Sequence, residues 1–148
     1  MEIYKSKSDR PLLDWQWYEP SIRDITSLVL KSAPPSGRHA LDVGCGTGCV
    51  SLALAKRGYE VQGIDIEKRV VELARKIALN TRSQVKSDVG DFRGRDLVRL
   101  DFYDLVVCSE VLQHINDYHP LIENMHATLK PGGRIIITVP FDPRRGRF

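Results

Sequence analysis

The stretch Leu41–Gly48, LDVGCGTG, constrains this chain more than any other. Glycines fall at 44, 46 and 48, an acid stands at Asp42, and the short apolar run HALDV leads in. Glycine has no Cβ, so such a loop can take positive φ and lie close to a ligand. VSLALAKRG follows and reads as a helix closed by Gly58 as a left-handed cap. A strand, a bare loop and a helix in that order predict a βαβ unit and a parallel sheet.

The rest of the chain repeats the alternation. Pro20 opens a helical pattern, PSIRDITSLVLKSA, with Ile22, Ile25, Leu28 and Val29 on one face, and Pro34-Pro35-Ser36-Gly37 stops it. YEVQGIDI predicts a second strand. EKRVVELARKIALN predicts an amphipathic helix with Val70, Leu73, Ala74, Ile77 and Ala78 inward. Gln84–Val89 is a weaker strand and Tyr103–Cys108 a strong one. Residues 117–129 read as a helix with Leu121, Ile122, Met125 and Leu129 inward. Pro131-Gly132-Gly133 reads as a turn before the last strand, RIIITVP. The expected fold is α/β: a Rossmann-like, doubly wound, mostly parallel sheet of about five strands with helices on both faces. Ligands of such sheets bind beyond the carboxyl ends of the strands, where the glycine loop lies.

The glycine spacing separates two ligand classes. A dinucleotide fingerprint counted from Gly44 would end in Gly or Ala, but the chain has Cys49 there. The Asp42 carboxylate would repel a pyrophosphate, yet it could help hold a cationic ligand. Asp42-x-Gly44-x-Gly46-x-Gly48 resembles the first motif of the class I S-adenosylmethionine-dependent methyltransferases.

Further resemblances follow in order over about residues 38–140. Asp65, in GIDI, stands where that family grips both ribose hydroxyls, and Ile66 follows it; a carboxylate accepts two hydrogen bonds and so matches a cis-diol. The alternative for Asp65 is a cap on the next helix. Asp91-Phe92, in VGDF, resembles the adenine site, the acid taking the exocyclic amine and the neighbour packing on the base. Asp91 as a plain loop acid and Phe92 as plain core are the alternatives. DLVVCSEVLQHI and LKPGGRIIITVP resemble the fourth and fifth strand regions. The cofactor-binding set implied by the resemblance is Asp42, Gly44, Cys45, Gly46, Gly48, Asp65, Ile66, Asp91, Phe92, Cys108 and Ser109, with S-adenosyl-L-methionine as cofactor and S-adenosyl-L-homocysteine as product.

Methyl transfer from a sulfonium is one in-line displacement, so holding the reactants and excluding water do much of the work. If the acceptor is a hydroxyl, His114 in SEVLQHI is the candidate base, the alternative being a packed structural histidine. Glu110, Gln113 and His114 also resemble the metal-binding run of small-RNA 2′-O-methyltransferases. Gln113 stands where that family has a second glutamate, and no metal site is expected. Cys45 and Cys49 likewise lack a further nearby Cys or His for zinc.

Three ranges follow: a lid-like segment at residues 1–19, the cofactor-binding domain at 20–140, and a basic tail at 141–148. Trp15, Trp17 and Tyr18 serve either as a lid over the cofactor or as packing for the first helix. The family usually adds an antiparallel hairpin of two strands beside the fifth. The sequence ends eight residues after Pro140, so that hairpin is expected to be absent. The exposed last strand, Arg134–Pro140, is then expected to pair with another chain, such as a second copy.

The leading functional expectation is a methyltransferase acting on a small-molecule acceptor. A non-catalytic S-adenosylmethionine-binding subunit and an RNA or protein methyltransferase are the alternatives, and a nicotinamide-dependent oxidoreductase comes last. The net charge of +3 and the absence of a basic stripe with interleaved aromatics do not favour nucleic acid. No run is apolar enough to span a bilayer. Three cysteines, an odd and small count, point to reduced thiols and the cytoplasm.

Overall fold

The structure is a computed structural model that describes residues 19–97 and 99–140, with side chains from residue 22 onward. The aromatic segment with Trp15, Trp17 and Tyr18 and the tail at 141–148 lie outside the described residues.

Helices and strands alternate as α1 (Glu19–Ser32), β1 (His39–Val43), α2 (Cys49–Lys56), β2 (Glu60–Asp65), α3 (Lys68–Asn80), β3 (Lys86–Val89), β4 (Tyr103–Ser109), α4 (His119–Thr128) and β5 (Leu129–Thr138). The sheet order is β3-β2-β1-β4-β5, and every pairing among the described residues is parallel. The order reverses between β1 and β4, which makes their carboxyl ends the switch point.

Side-chain alternation divides the core between the two faces. Ala40, Val61, Leu105, Val107 and Ile136 meet Val29 of α1 and Leu54 of α2. Leu41, Val43, Ile64, Val106 and Cys108 meet Leu121 and Met125 of α4. Leu28, expected inward on α1, is 52% exposed. At 3.6 residues per turn it turns off the stripe formed by Ile25, Val29 and Ala33. On α3 the buried line is Val71, Ala74 and Ala78, one residue over from the expected Val70.

The carboxyl-terminal carbonyls of α1 are taken by arginines from two other elements. Arg57 Nη1 donates to Leu30 O and Arg134 Nη1 to Ser32 O, each at 2.5 Å. α2 and α3 end in the same Schellman arrangement. In α2, Tyr59 N bonds Leu54 O and Gly58 N bonds Ala55 O; in α3, Ser83 N bonds Ala78 O and Arg82 N bonds Leu79 O. The left-handed position is Gly58 in the first, at φ 93°, and Arg82 in the second, at φ 53°.

β5 departs from expectation at its start. Leu129 is not the last residue of α4 but pairs with Tyr103, whereas the next matched pair is Leu105 with Arg134. Pro131-Gly132-Gly133 is thus a bulge inside the strand, with Gly132 at φ 81°. Asp104 fastens the amino ends of three strands. Its Oδ2 accepts from the Arg38 and His39 amides at 3.0 and 2.8 Å, and its Oδ1 from Lys130 Nζ at 2.9 Å. Burial alone would raise its pKa, but the His39 amide, Lys130 and the Arg38 amide outweigh it and hold the carboxyl at about 2.

Candidate functional site

Beyond the carboxyl ends of β1, β2 and β4 lies a cavity of about 540 Å³. That size fits a small-molecule site. Its walls include Gly44 and Gly46 from the loop, Asp65, Ile66 and Val70 from the β2–α3 junction, and Asp91, Phe92 and Arg93 after β3. Glu110, Val111, His114 and Ile115 close it from the β4 side. A cavity of about 610 Å³ opens at the opposite pole, around His39, Gln62 and Tyr103. The carboxyl-end cavity is the candidate site, because the switch point and the glycine loop meet there and nowhere else.

Gly44, Gly46 and Gly48 have φ of 74°, 53° and 86°, so the loop has the left-handed backbone its composition implied. A Cβ on Gly46 would meet nothing within 4 Å, so this stretch of backbone borders open space. Asp65 holds the loop against β2. Its Oδ2 accepts from Gly46 N and its Oδ1 from Glu67 N, both at 2.9 Å. Asp65 does not cap α3, whose N-cap is Glu67 without a side-chain bond; its two bonds go to the loop and to the Glu67 amide, one on each oxygen. Each carboxylate oxygen accepts about two, so one direction per oxygen remains.

Asp91 is arranged differently. Arg93 approaches it with its amide at 3.0 Å, with Nε at 2.9 and 3.0 Å to the two oxygens, and with Nη2 at 2.5 Å. Those Arg93 hydrogen bonds hold the Asp91 carboxyl below its usual range, against the opposing effect of burial. Phe92 is 3% exposed and belongs to the core cluster as well as the cavity wall, so its two readings are compatible. The turn carrying both is clamped from behind by Asn124 of α4. Its Nδ2 lies 2.8, 3.0 and 3.1 Å from the carbonyls of Phe92, Arg93 and Gly94.

Other expected residues lie beneath the cavity. Asp42 is 2% exposed and points to the α2 face, where Ser51 Oγ donates to it at 2.6 Å. Burial raises its pKa to about 6, although the Ser51 bonds act in the other direction. Cys45 packs on β2, where a Cβ at Gly63 would come within 2.8 Å of its sulfur. Gly48 is the N-cap of α2 and faces Ala74 of α3. Cys108 is fully buried, and burial, followed by the nearby Asp42, pushes its thiol up to about 12. Ser109 ends β4 with its hydroxyl buried and no partner for it among the described residues.

On the β4 side, His114 is exposed and lines the cavity from a single 3₁₀ turn, Leu112–His114. Glu110 has φ 58°, and its carboxylate accepts from Thr138 Oγ1 at 3.2 Å and Gln113 Nε2 at 3.4 Å. The glutamine that breaks the metal-binding resemblance is thus a hydrogen-bond donor to the neighbouring acid. Sequence reasoning missed Arg93 and Asn124. For Asn124 a signal existed: it is a polar residue at an inward position, between Leu121 and Met125 of α4.

Two carboxylates, one free to accept and one engaged, line a cavity with apolar walls and bare backbone.

The protein-family model described as a methyltransferase domain matches residues 10–147. The chain is 35% identical over 104 residues to the ubiquinone biosynthesis O-methyltransferase of Coxiella burnetii, covering 69% of this chain and 43% of that protein. It thus spans less than half the length of that curated relative. The crystal structure of the PH0226 protein from Pyrococcus horikoshii OT3 superposes with a TM-score of 0.75 at 28% identity, over 82% of this chain and 54% of that one. The Haemonchus contortus phosphoethanolamine N-methyltransferase 2, in complex with S-adenosyl-L-methionine, gives a TM-score of 0.69 at 25% identity, over 77% of this chain and 27% of that one.

Proposed function

The chain belongs to the methyltransferase-domain family, and from that premise we propose that it binds S-adenosyl-L-methionine in the switch-point cavity and carries methyl transfer to a small-molecule acceptor. The observation that carries this reading is Asp65. It joins the glycine loop to the start of α3, lines the cavity, and keeps one accepting direction on each oxygen. A ribose cis-diol needs those two directions. Asp91 and Phe92 form the base end, and the backbone around Gly44–Gly46 lies along the remainder of the ligand. The bound cofactor supplies a methyl group on a sulfonium, which leaves to the acceptor nucleophile with its bond electrons staying on sulfur.

The protein's own part is positioning and exclusion of water. Val111 and Ile115 wall the acceptor side, and His114 stands there to take a proton if the acceptor is a hydroxyl. The O-methyltransferase relative supports an oxygen acceptor. The free thiols of Cys45, Cys49 and Cys108 suit a reducing compartment such as the cytoplasm. No helix among the described residues is long and apolar enough to cross a membrane. Among the described residues β5 is an edge strand, which offers a second copy a strand to pair with. A strictly monomeric species by light scattering at high concentration would remove that part of the reading.

The test is calorimetric titration with S-adenosyl-L-homocysteine, with Asp65→Ala as control. Binding by the wild type that is lost in the variant supports the assignment. No binding by a folded wild type refutes it.

A further inference from the structure

We propose that Arg93 is a positioning residue that competes with the cofactor's exocyclic amine for the Asp91 carboxylate. The inference rests on the cofactor reading above and extends it to a residue outside the glycine loop and the two acids.

The argument starts from lone pairs. A carboxylate has about four accepting directions. Arg93 directs its amide and Nε to Asp91 Oδ1, and its Nε and Nη2 to Oδ2. The single Nε hydrogen is shared, so three N–H groups of Arg93 cover both oxygens of Asp91 and leave at most one direction, whereas Asp65 keeps two. An amine that reaches Asp91 meets a carboxylate whose two oxygens are both engaged by the guanidinium, and it competes with that group for them.

Backbone movement does not resolve the conflict, because Asn124 clamps the carbonyls of residues 92–94 from the core. The exchange has to take place between side chains. It is accessible, since the Arg93 and Asp91 side chains are 45% and 40% exposed, and such pairs are weak. Arg93 also has a second acid to turn to. Asp117 contributes to its electrostatic environment from the loop before α4.

Arg93 thus lowers affinity for a base bearing an amine. A base presenting a carbonyl oxygen at the same place cannot donate to Asp91 and does not dislodge Arg93. Removing the guanidinium should help the first ligand and not the second.

The experiment is calorimetric titration of wild type, Arg93→Ala and Arg93→Lys with S-adenosyl-L-homocysteine and with S-inosyl-L-homocysteine. Arg93→Ala should bind the adenosyl ligand about two- to fivefold more tightly, the scale of an exposed ion pair. It should bind the inosyl ligand no better than wild type does. Arg93→Lys, which keeps the charge but cannot chelate, should fall between. In an Asp91→Asn background the gain from Arg93→Ala should vanish. Unchanged or weaker adenosyl binding by Arg93→Ala overturns the proposal, as does an equal gain for both ligands. Absence of binding by every folded variant would overturn the cofactor reading together with this one, a result distinct from binding without gain.

Discussion

Asp65 and Gly46 are nineteen residues apart in sequence and joined by one hydrogen bond, from the Gly46 amide to Asp65 Oδ2 at 2.9 Å. The bond has a charged acceptor, so its loss should be felt locally. In Asp65→Ala the Gly46 amide should exchange its hydrogen at least about tenfold faster than in wild type, with amides in β4 unchanged. Hydrogen exchange read by NMR checks this without any ligand. Equal exchange in both proteins would mean that the loop is held by other contacts.

Asp42 makes the fold sensitive to pH in an uncommon direction. Its folded pKa is about 6, raised from 3.8. A raised carboxyl binds its proton more tightly in the folded state, so the folded state is favoured below pH 3.8 and loses that advantage as pH rises through about 6. Asp42→Asn keeps the shape and an acceptor for Ser51 but carries no charge. It should be more stable than wild type by about 3 kcal/mol at pH 8, and the difference should shrink to about half a kcal/mol by pH 4. Urea unfolding at the two pH values measures it.

Asn124 serves the site from the core. Asn124→Leu fills the space but leaves the carbonyls of residues 92–94 without their donor. A loss of about 2–3 kcal/mol in urea unfolding is expected, with weaker S-adenosyl-L-homocysteine binding in the fraction that remains folded. A loss of stability with unchanged affinity would show that the turn keeps its shape unaided.

The two Schellman endings predict a stabilising change. Arg82 occupies at φ 53° the position that Gly58 occupies at φ 93°. An L side chain there costs about 1–2 kcal/mol, and the greater freedom of glycine in the unfolded chain offsets part of the gain. Arg82→Gly should raise stability by about 0.5–1 kcal/mol, or roughly 2–3 °C in Tm. Gly58→Arg should lower it. Thermal unfolding of the pair decides.

Much of this arrangement is legible in the sequence. The alternation of HALDV, YEVQGIDI and YDLVVC with helical periods specifies a parallel sheet, and the loop glycines and Gly58 mark positive φ. What is not legible depends on neighbours distant in the chain. Asp42 could point toward a ligand or toward α2, and only the pairing of β1 with its neighbours sends it to Ser51. The Pro131-Gly132-Gly133 turn becomes a bulge because Leu129 finds Tyr103, a partner that local pattern does not reveal. Arg93 and Asn124 carry no motif; their roles exist only once the turn after β3 meets α4.

Asp104 lies at the pole away from the cavity, yet it sets where the cavity's parts emerge. By holding the Arg38 and His39 amides and Lys130, it acts as a common zero mark for β1, β4 and β5. From that mark β1 and β4 run in step, Ala40 beside Leu105 through Val43 beside Cys108. A slip of one residue at this end would travel undiminished along the strand, displacing Gly44 against Glu110 by about 3.3 Å and turning every side chain of β1 to the opposite face. The distance between the glycine loop and the acceptor wall is thus a length counted out in residues from a single carboxylate at the far end of the sheet.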